Sequence, residues 1–440
     1  MTVTPEAPST SAAEPPDGLP GLLAELEWRG MLHASTPGLA ARLASGQTIA
    51  GYNGFDPSGP SLHVGSLVPI MGLLHLQRRG GKPVVIVGGA TGMVGDPSGT
   101  SAERNLLDTE TLEANLASIR AQLQRFLDFS PGQTGAVVLN NLDWLGRFSM
   151  LEFLRDIGKH FTVPYMLAKD SVQVRLPSGL SFTEFSYMLL QAADFLHLYR
   201  DEGVELQMGG ADQWGNITAG LELIRRVKGG EGESPAHGLA YPLFTDPSGA
   251  KFGKTSEGTS VWLDPARTTP YAFYQYWLAT EDADVGHRLR FFTLLSREEI
   301  EALEAETDSR PEARAAQRAL ARDVTARVHG ADAAREAEEL SRAVFDDGLL
   351  SLDEARFRAA IADLHVVKMT DAPATVLALA LASGAASSGG EARRLIGQGG
   401  FYVNDQRLTD PNGSLPDSVH GRYWVVRSGK KNIRIVERSG

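Results

Sequence analysis

Short apolar runs alternate with longer stretches of helical spacing over roughly the first 260 residues. Thr48 to Tyr52 reads as the end of a buried strand. Val84 to Val87, Ala136 to Leu139 and Val204 to Met208 are continuous apolar runs of strand length. Each is followed by loop residues and then by a helical pattern. That alternation predicts a parallel sheet with helices on both faces. Ligands of such sheets bind beyond the carboxyl ends of strands, and Tyr52, Gly88 and Gln207 fall at such ends.

Between the first two strands, Gly54, Pro57, Gly59 and Pro60 force a loop. Ser61 is the expected N-cap of a helix over the apolar run Leu62 to Leu76, with His63 and Ser66 on one face of its first turn. Pro69 is expected to bend that helix or disturb its first turns. Phe182 to Tyr199 is a strong helix on which Tyr187, Gln191 and Asp194 share a face. That polar stripe is either solvated or lines a pocket. Asp212 can cap the helix that follows Val204 to Met208, or bind a ligand together with Gln213. From Pro270 to about Phe345 the spacing is helical, with a stripe of Arg314, Arg318 and Arg322 that either faces solvent or touches RNA. Residues 346–373 are mixed and acidic, as in a linker. Arg422 to Val426 and Asn432 to Val436 alternate like a hairpin turning at Gly429-Lys430-Lys431. The expected domains are a disordered tail over 1–20, a catalytic domain over 21–262, a helical domain over 263–345, the linker, and a small domain over 374–440.

Composition narrows the class. The 440 residues are 42% hydrophobic, enough for two or three cores, and contain no cysteine, which excludes disulfides and cysteine-ligated metals. The ten histidines show no metal-ligand clustering. Residues 1–17 are rich in Pro, Ala, Ser and Thr without Lys or Arg, unlike a signal or transit peptide. No apolar run is long enough to span a bilayer, so a soluble cytoplasmic protein is expected. The net charge is −12, yet Glu391 to Gly440 holds nine Lys or Arg and five Asp or Glu, which leaves the last segment at +4 and the rest at −16. A basic end on an acidic chain suggests a local RNA contact, with Arg393, Arg394, Lys430 and Lys431 as phosphate ligands.

The candidate chemistry sits in two distant stretches. His63-Val64-Gly65-Ser66 opens a helix, where free N–H groups and the dipole suit a phosphate chain. Lys251-Phe252-Gly253-Lys254-Thr255 puts two lysines three apart in a Gly-rich loop. Together they resemble the paired HIGH and KMSKS signatures of class I aminoacyl-tRNA synthetases. Gly51 to Pro57, Gly88 to Gly92, Gly95 to Gly99, Phe182 to Tyr187 and Gly210 to Asn216 bring the resemblance to the tyrosyl-tRNA synthetases of bacterial type, from about Leu22 to the C-terminus. The last domain is similar to an RNA-binding fold of a small-subunit ribosomal protein.

That resemblance implies a Rossmann-like α/β catalytic domain, a helical domain contacting the anticodon, and an α+β RNA-binding domain. It implies that L-tyrosine is activated with ATP, with Mg2+ on the nucleotide, and passed to the terminal ribose of tRNA(Tyr) by a homodimer. Tyr52 and Asp194 would bond the substrate phenol, and Tyr187, Gln191 and Asp96 its ammonium, with Gln207 beside them. Gly54, Asp56, Ser58, His63, Gly65, Ser66, Asp212, Gln213 and Lys254 would hold ATP. His63, Lys251, Lys254 and Thr255 would stabilise the transition state. There are departures: Ser66 replaces the final His of the first signature, and Thr100 and Ser101 replace lysines, leaving Arg104 to carry more. Three rivals share parts of this pattern: a tryptophanyl enzyme, an adenylate-forming ligase without RNA, and a non-catalytic RNA-binding relative.

Overall fold

The computed structural model describes residues 17–57, 59–96, 109–245, 259–345, 348–362, 364, 366–429 and 432–439. They divide into two compact units, residues up to 269 with 276–329, and residues 270–275 with 330 onward.

The first unit is built on a six-stranded sheet of β1 (Ala34–Ser35), β2 (Ala50–Phe55), β3 (Lys82–Val87), β4 (Val137–Asn140), β5 (Val204–Gly210) and β6 (His237–Tyr241), in the order β1-β6-β5-β2-β3-β4. Every pairing is parallel except β1 on β6. The parallel sheet expected from the apolar runs is therefore present. Val84, Val85, Ile86 and Val87 are all buried, as a strand covered on both faces requires.

Five helices matter for the site: α1 (Leu22–Trp28), α2 (Leu67–Arg78), α3 (Thr109–Leu123), α4 (Phe182–Asp201) and α5 (Trp214–Val227). Glycine lets two of these layers close up. A Cβ on Gly51 of β2 would come within 2.8 Å of Leu76 on α2, and one on Gly220 of α5 within 2.9 Å of Phe195 on α4. α4 begins with a capping box, Ser181 and Glu184 each bonding the other's backbone N–H. Buried Arg29, just past α1, donates to the carbonyls of Arg290, Thr293 and Leu295 and so satisfies the end of the helix Asp282–Phe292.

Three local expectations need correction. His63, not Ser61, caps the turn: its Nδ1 accepts from the Gly65 N–H at 3.0 Å and its own N–H donates to Ser66 Oγ at 3.4 Å. The Ser61 hydroxyl instead donates to the carbonyl of Leu62. Pro69 is the third residue of α2, where no intrahelical donor is due, so it removes no bond and α2 runs on for 12 residues. The irregularity lies ahead of it, in the 3-10 turn Val64–Ser66. Arg314 leaves the basic stripe: it stands before the helix Ala315–His329 at φ 48° and donates to the Leu278 carbonyl, while Arg318 and Arg322 are exposed on that helix.

The second unit carries β7 (Val366–Met369), β8 (Phe401–Val403), β9 (Gln406–Arg407), β10 (Tyr423–Ser428) and β11 (Asn432–Arg438), in the order β7-β11-β10-β8-β9. The hairpin is present as β10 and β11. β7 lies within the stretch read as a linker, yet it pairs in parallel with β11. Phe357 likewise packs on Tyr423, with ring centroids 5.1 Å apart. Val376, Leu379, Ile396, Phe401, Trp424 and Val436 fill the core. Among the described residues no helix is long and apolar enough to cross a membrane.

Candidate active site

The carboxyl ends of β2, β3, β5 and β6 open into a cavity of about 480 Å³. Its lining includes Tyr52, Gly54, Asp56, His63, Gly65, Ser66, Asp96, Tyr187, Gln191, Asp194, Gln207, Asp212 and Gln213, so thirteen residues singled out in the sequence meet at one place. Ser58, Lys251, Lys254 and Thr255 lie outside the described residues, as do Thr100, Ser101 and Arg104. Both flanks of 246–258 nevertheless border the cavity region. Phe244 and Thr245 line it, and on the far side Val64 donates to Val261 and Leu263 to Leu62. Trp262 meets the His63 ring edge-on at 6.3 Å. Arg393 and Arg394 are exposed on the helix Gly389–Gly397 of the second unit, and Lys430 and Lys431 lie outside the described residues.

The stripe on α4 is a pocket wall rather than a solvated face. Tyr187 and Asp194 are buried and Gln191 is half-buried, and all three line the cavity. Asp194 is held by two side chains from the end of β4 and just beyond it. Trp144 Nε1–H donates to Oδ1 at 2.7 Å and Asn141 Nδ2 to Oδ2 at 2.9 Å. Burial pushes its carboxyl up to about 7, against the pull of those two donors. Beside it, the Tyr52 hydroxyl is buried and finds no hydrogen-bond partner among the described residues. Desolvation, and then the Asp194 charge, push this phenol well above the usual range, so it stays a donor. Gln207 Oε1 is likewise buried and unpartnered there.

A second network ties the remaining carboxylates. The Tyr187 hydroxyl donates to Asp56 Oδ2 at 3.1 Å and Thr91 to Asp56 Oδ1 at 2.9 Å. Asn141 Nδ2 also reaches Thr91 Oγ1 at 3.0 Å, which joins Asp56 to Asp194 through two side chains. Gln213 Nε2 donates to Asp96 Oδ2 at 2.7 Å, Gln191 Nε2 to Gln213 Oε1 at 3.2 Å, and Asn216 Nδ2 to Gln191 Oε1 at 3.0 Å. Asp212 makes no cap: the turn Ala211–Gln213 starts at Gly210 and α5 at Gln213, neither with a side-chain cap bond.

Sequence reading missed Asn141, Trp144, Thr91 and Asn216. Asn141 directly follows β4, at the strand end where ligand groups collect, and that position was the available signal. Nothing local marks Trp144. Chemically, the cavity offers a buried acceptor and a buried donor at one end, a carboxamide–carboxylate cluster at its middle, and a capped helix start at the other end.

Residues 44–346 match the family described as tRNA synthetases class I (W and Y), and residues 356–436 the tyrosine–tRNA ligase SYY-like C-terminal domain. The chain is 52% identical over 429 residues to a tyrosine–tRNA ligase of Anaeromyxobacter dehalogenans, covering 94% of this chain and 99% of that one. It is 48% identical over 418 residues to the tyrosine–tRNA ligase of Geobacillus stearothermophilus, with the same coverage. Among solved structures, a C-terminally truncated mitochondrial tyrosyl-tRNA synthetase of Coccidioides posadasii matches with a TM-score of 0.63 and 31% identity, over 72% of this chain and 91% of that one.

Proposed function

The chain belongs to the class I tRNA synthetases, in the tyrosine–tRNA ligase branch, and from that premise we propose which residues serve each part of the reaction. L-tyrosine is activated with ATP to tyrosyl-adenylate and pyrophosphate, and tyrosyl is then passed to the 3′-terminal ribose of tRNA(Tyr). The tyrosine carboxylate attacks the α-phosphorus and a ribose hydroxyl later attacks the acyl carbon, so neither step needs an enzyme nucleophile. Positioning and stabilisation of developing charge carry the catalysis.

The observation that carries the reading is the buried pair at one end of the cavity. Tyr52 offers a hydroxyl with an unmade bond, and Asp194 an acceptor carboxylate fixed by Trp144 and Asn141. A substrate phenol completes both. Phenylalanine brings neither donor nor acceptor, so the buried Tyr52 hydroxyl stays unpaired and Asp194 gains no bond beyond those from Trp144 and Asn141. Asp96, Tyr187 and Gln191 take the ammonium, with Gln207 beside them. His63, Gly65 and Ser66 at the head of α2, with Gly54, Asp56, Ser58, Asp212 and Gln213, hold the nucleotide. Lys251, Lys254 and Thr255 act on the phosphates. Mg2+ would travel on the ATP phosphates.

The catalytic part is proposed to span 21–262, the helices of 263–345 to meet the anticodon arm, and the last domain to hold RNA through Arg393, Arg394, Lys430 and Lys431. Met150, Leu151, Val163, Val174 and Phe182 are exposed large apolar side chains, and a second copy of the chain is proposed to cover them. The proposed location is the cytoplasm, where tRNA charging would serve translation. The test is ATP–pyrophosphate exchange across the twenty amino acids. Exchange with tyrosine is expected, and exchange with tryptophan in its place would overturn the assignment.

A further inference from the structure

Two walls bound the nucleotide end of the cavity, and they come from distant parts of the chain. One is the His63–Ser66 turn that opens α2. The other is Pro242–Thr245, directly after β6. On the β6 side, one buried side chain reaches across to α2. Tyr241, the last residue of β6, has no exposed surface, and its hydroxyl end sits where a side chain on Gly72 of α2 would begin. A Cβ at position 72 would overlap the Tyr241 hydroxyl and its ring carbons, so only glycine admits this contact. Asn53, buried at the end of β2 and itself lining the cavity, directs Nδ2 to the Tyr241 hydroxyl at 3.4 Å and to the Pro69 carbonyl of α2 at 3.5 Å. Strand β2, helix α2 and the segment after β6 are thus keyed together at one buried hydroxyl.

We propose that Tyr241 is a positioning residue for adenylate formation: seated in the Gly72 slot, it sets the spacing between the His63–Ser66 turn and the Pro242–Thr245 wall. Its hydroxyl bonds Asn53 and meets Gly72, and its effect is expected on the nucleotide rather than on tyrosine. The inference rests on the functional reading above, which assigns the His63 end to ATP.

Gly72→Ala pushes the phenol out of its slot, and Tyr241→Leu withdraws it while keeping an apolar side chain. Tyrosine binding is measured at equilibrium, and the single-turnover rate of tyrosyl-adenylate formation is followed against ATP at saturating tyrosine. Tyrosine affinity is expected to stay within about twofold in both variants, while the rate at subsaturating ATP falls about tenfold or more, since ångström-scale displacement of reacting groups costs that much. If Gly72→Ala does not fold, Tyr241→Leu decides alone. A folded variant with an unchanged rate overturns the inference. So does a parallel loss of tyrosine affinity and rate, which marks Tyr241 as core packing only. Absence of tyrosine-dependent adenylate formation in the unaltered protein would overturn the functional reading as well, whereas normal formation there with indifferent variants overturns this inference alone.

Discussion

Tyr52→Phe should move stability and activity in opposite directions. The Tyr52 ring packs against Phe195 at 5.4 Å between centroids, and phenylalanine keeps that contact. What the change removes is a hydroxyl that is buried and unpartnered among the described residues. A buried donor left unbonded costs roughly 1–3 kcal/mol, so its loss should leave the free enzyme as stable as before or more stable by about 1 kcal/mol. On binding, that hydroxyl gains the substrate phenol, a neutral bond of about 0.5–1.5 kcal/mol net. Its removal should lower kcat/KM for tyrosine about 2- to 12-fold, at about 1.36 kcal/mol per tenfold. Phenylalanine never made the bond, so its activation should hold or rise slightly. The assays are urea unfolding of the ligand-free protein and pyrophosphate exchange with each amino acid in turn. A lowered unfolding midpoint together with equal losses for tyrosine and phenylalanine would refute the reasoning, because the hydroxyl would then be satisfied inside the protein.

Lys254→Ala is expected to keep tyrosine binding and slow adenylate formation, because the lysine acts on the transition state; tyrosine affinity falling as far as the rate, measured by equilibrium binding, would contradict this. Removing the chain from Asp353 onward should spare pyrophosphate exchange and abolish tRNA charging, as read by aminoacylation; the cut belongs there because Phe357 and β7 pack with β10 and β11. Asp194, raised from 3.8 to about 7 by burial, binds a proton in the folded chain that the unfolded chain has lost, so its contribution to stability is whole below about pH 4 and is lost as pH rises through about 7, a loss of up to about 4 kcal/mol. Tyrosine presents a donor and favours the ionised carboxylate, so kcat/KM for tyrosine should fall about tenfold per unit below pH 7; a flat profile that Asp194→Asn does not alter would exclude Asp194 as the phenol's acceptor.

The parts of this molecule that were readable from sequence are those decided by local pattern. A Val-Val-Ile-Val run buried on both faces needs no distant partner to declare itself, and β3 lies where the run stands. The Tyr187–Gln191–Asp194 stripe follows from helical geometry alone, although only the fold shows that it faces a cavity. The failures share one physical cause, in that a side chain's role was set by something far away or by competition at one turn. Ser61 has the better cap chemistry, but the backbone turns two residues later, where the His63 ring accepts from Gly65. Arg314 fits the four-residue spacing, yet it closes the turn Pro311–Ala313 in a left-handed conformation ahead of the helix, with its side chain on the Leu278 carbonyl. β7 lacks a strong strand pattern of its own and is a strand because β11 supplies its bonds from more than 60 residues away. Trp144 and Asn141 matter only because the end of β4 comes to lie beside α4, about 50 residues on.

The bonding state of the cavity says where selectivity must lie. Asp96 is occupied by Gln213, Gln191 by Gln213 and Asn216, and the Tyr187 hydroxyl by Asp56. An ammonium arriving there exchanges one set of bonds for another, and the net gain of such an exchange is small. At the other end, the Tyr52 hydroxyl has a bond to gain and nothing to surrender. Every amino acid carries the ammonium, so the group common to all of them meets the end where binding is an exchange. The group that distinguishes tyrosine meets the end where binding is a gain. The Trp144 and Asn141 donors make this possible by fixing both oxygens of Asp194 before any substrate arrives. The discriminating end is therefore preorganised, and little of the binding energy goes to arranging it.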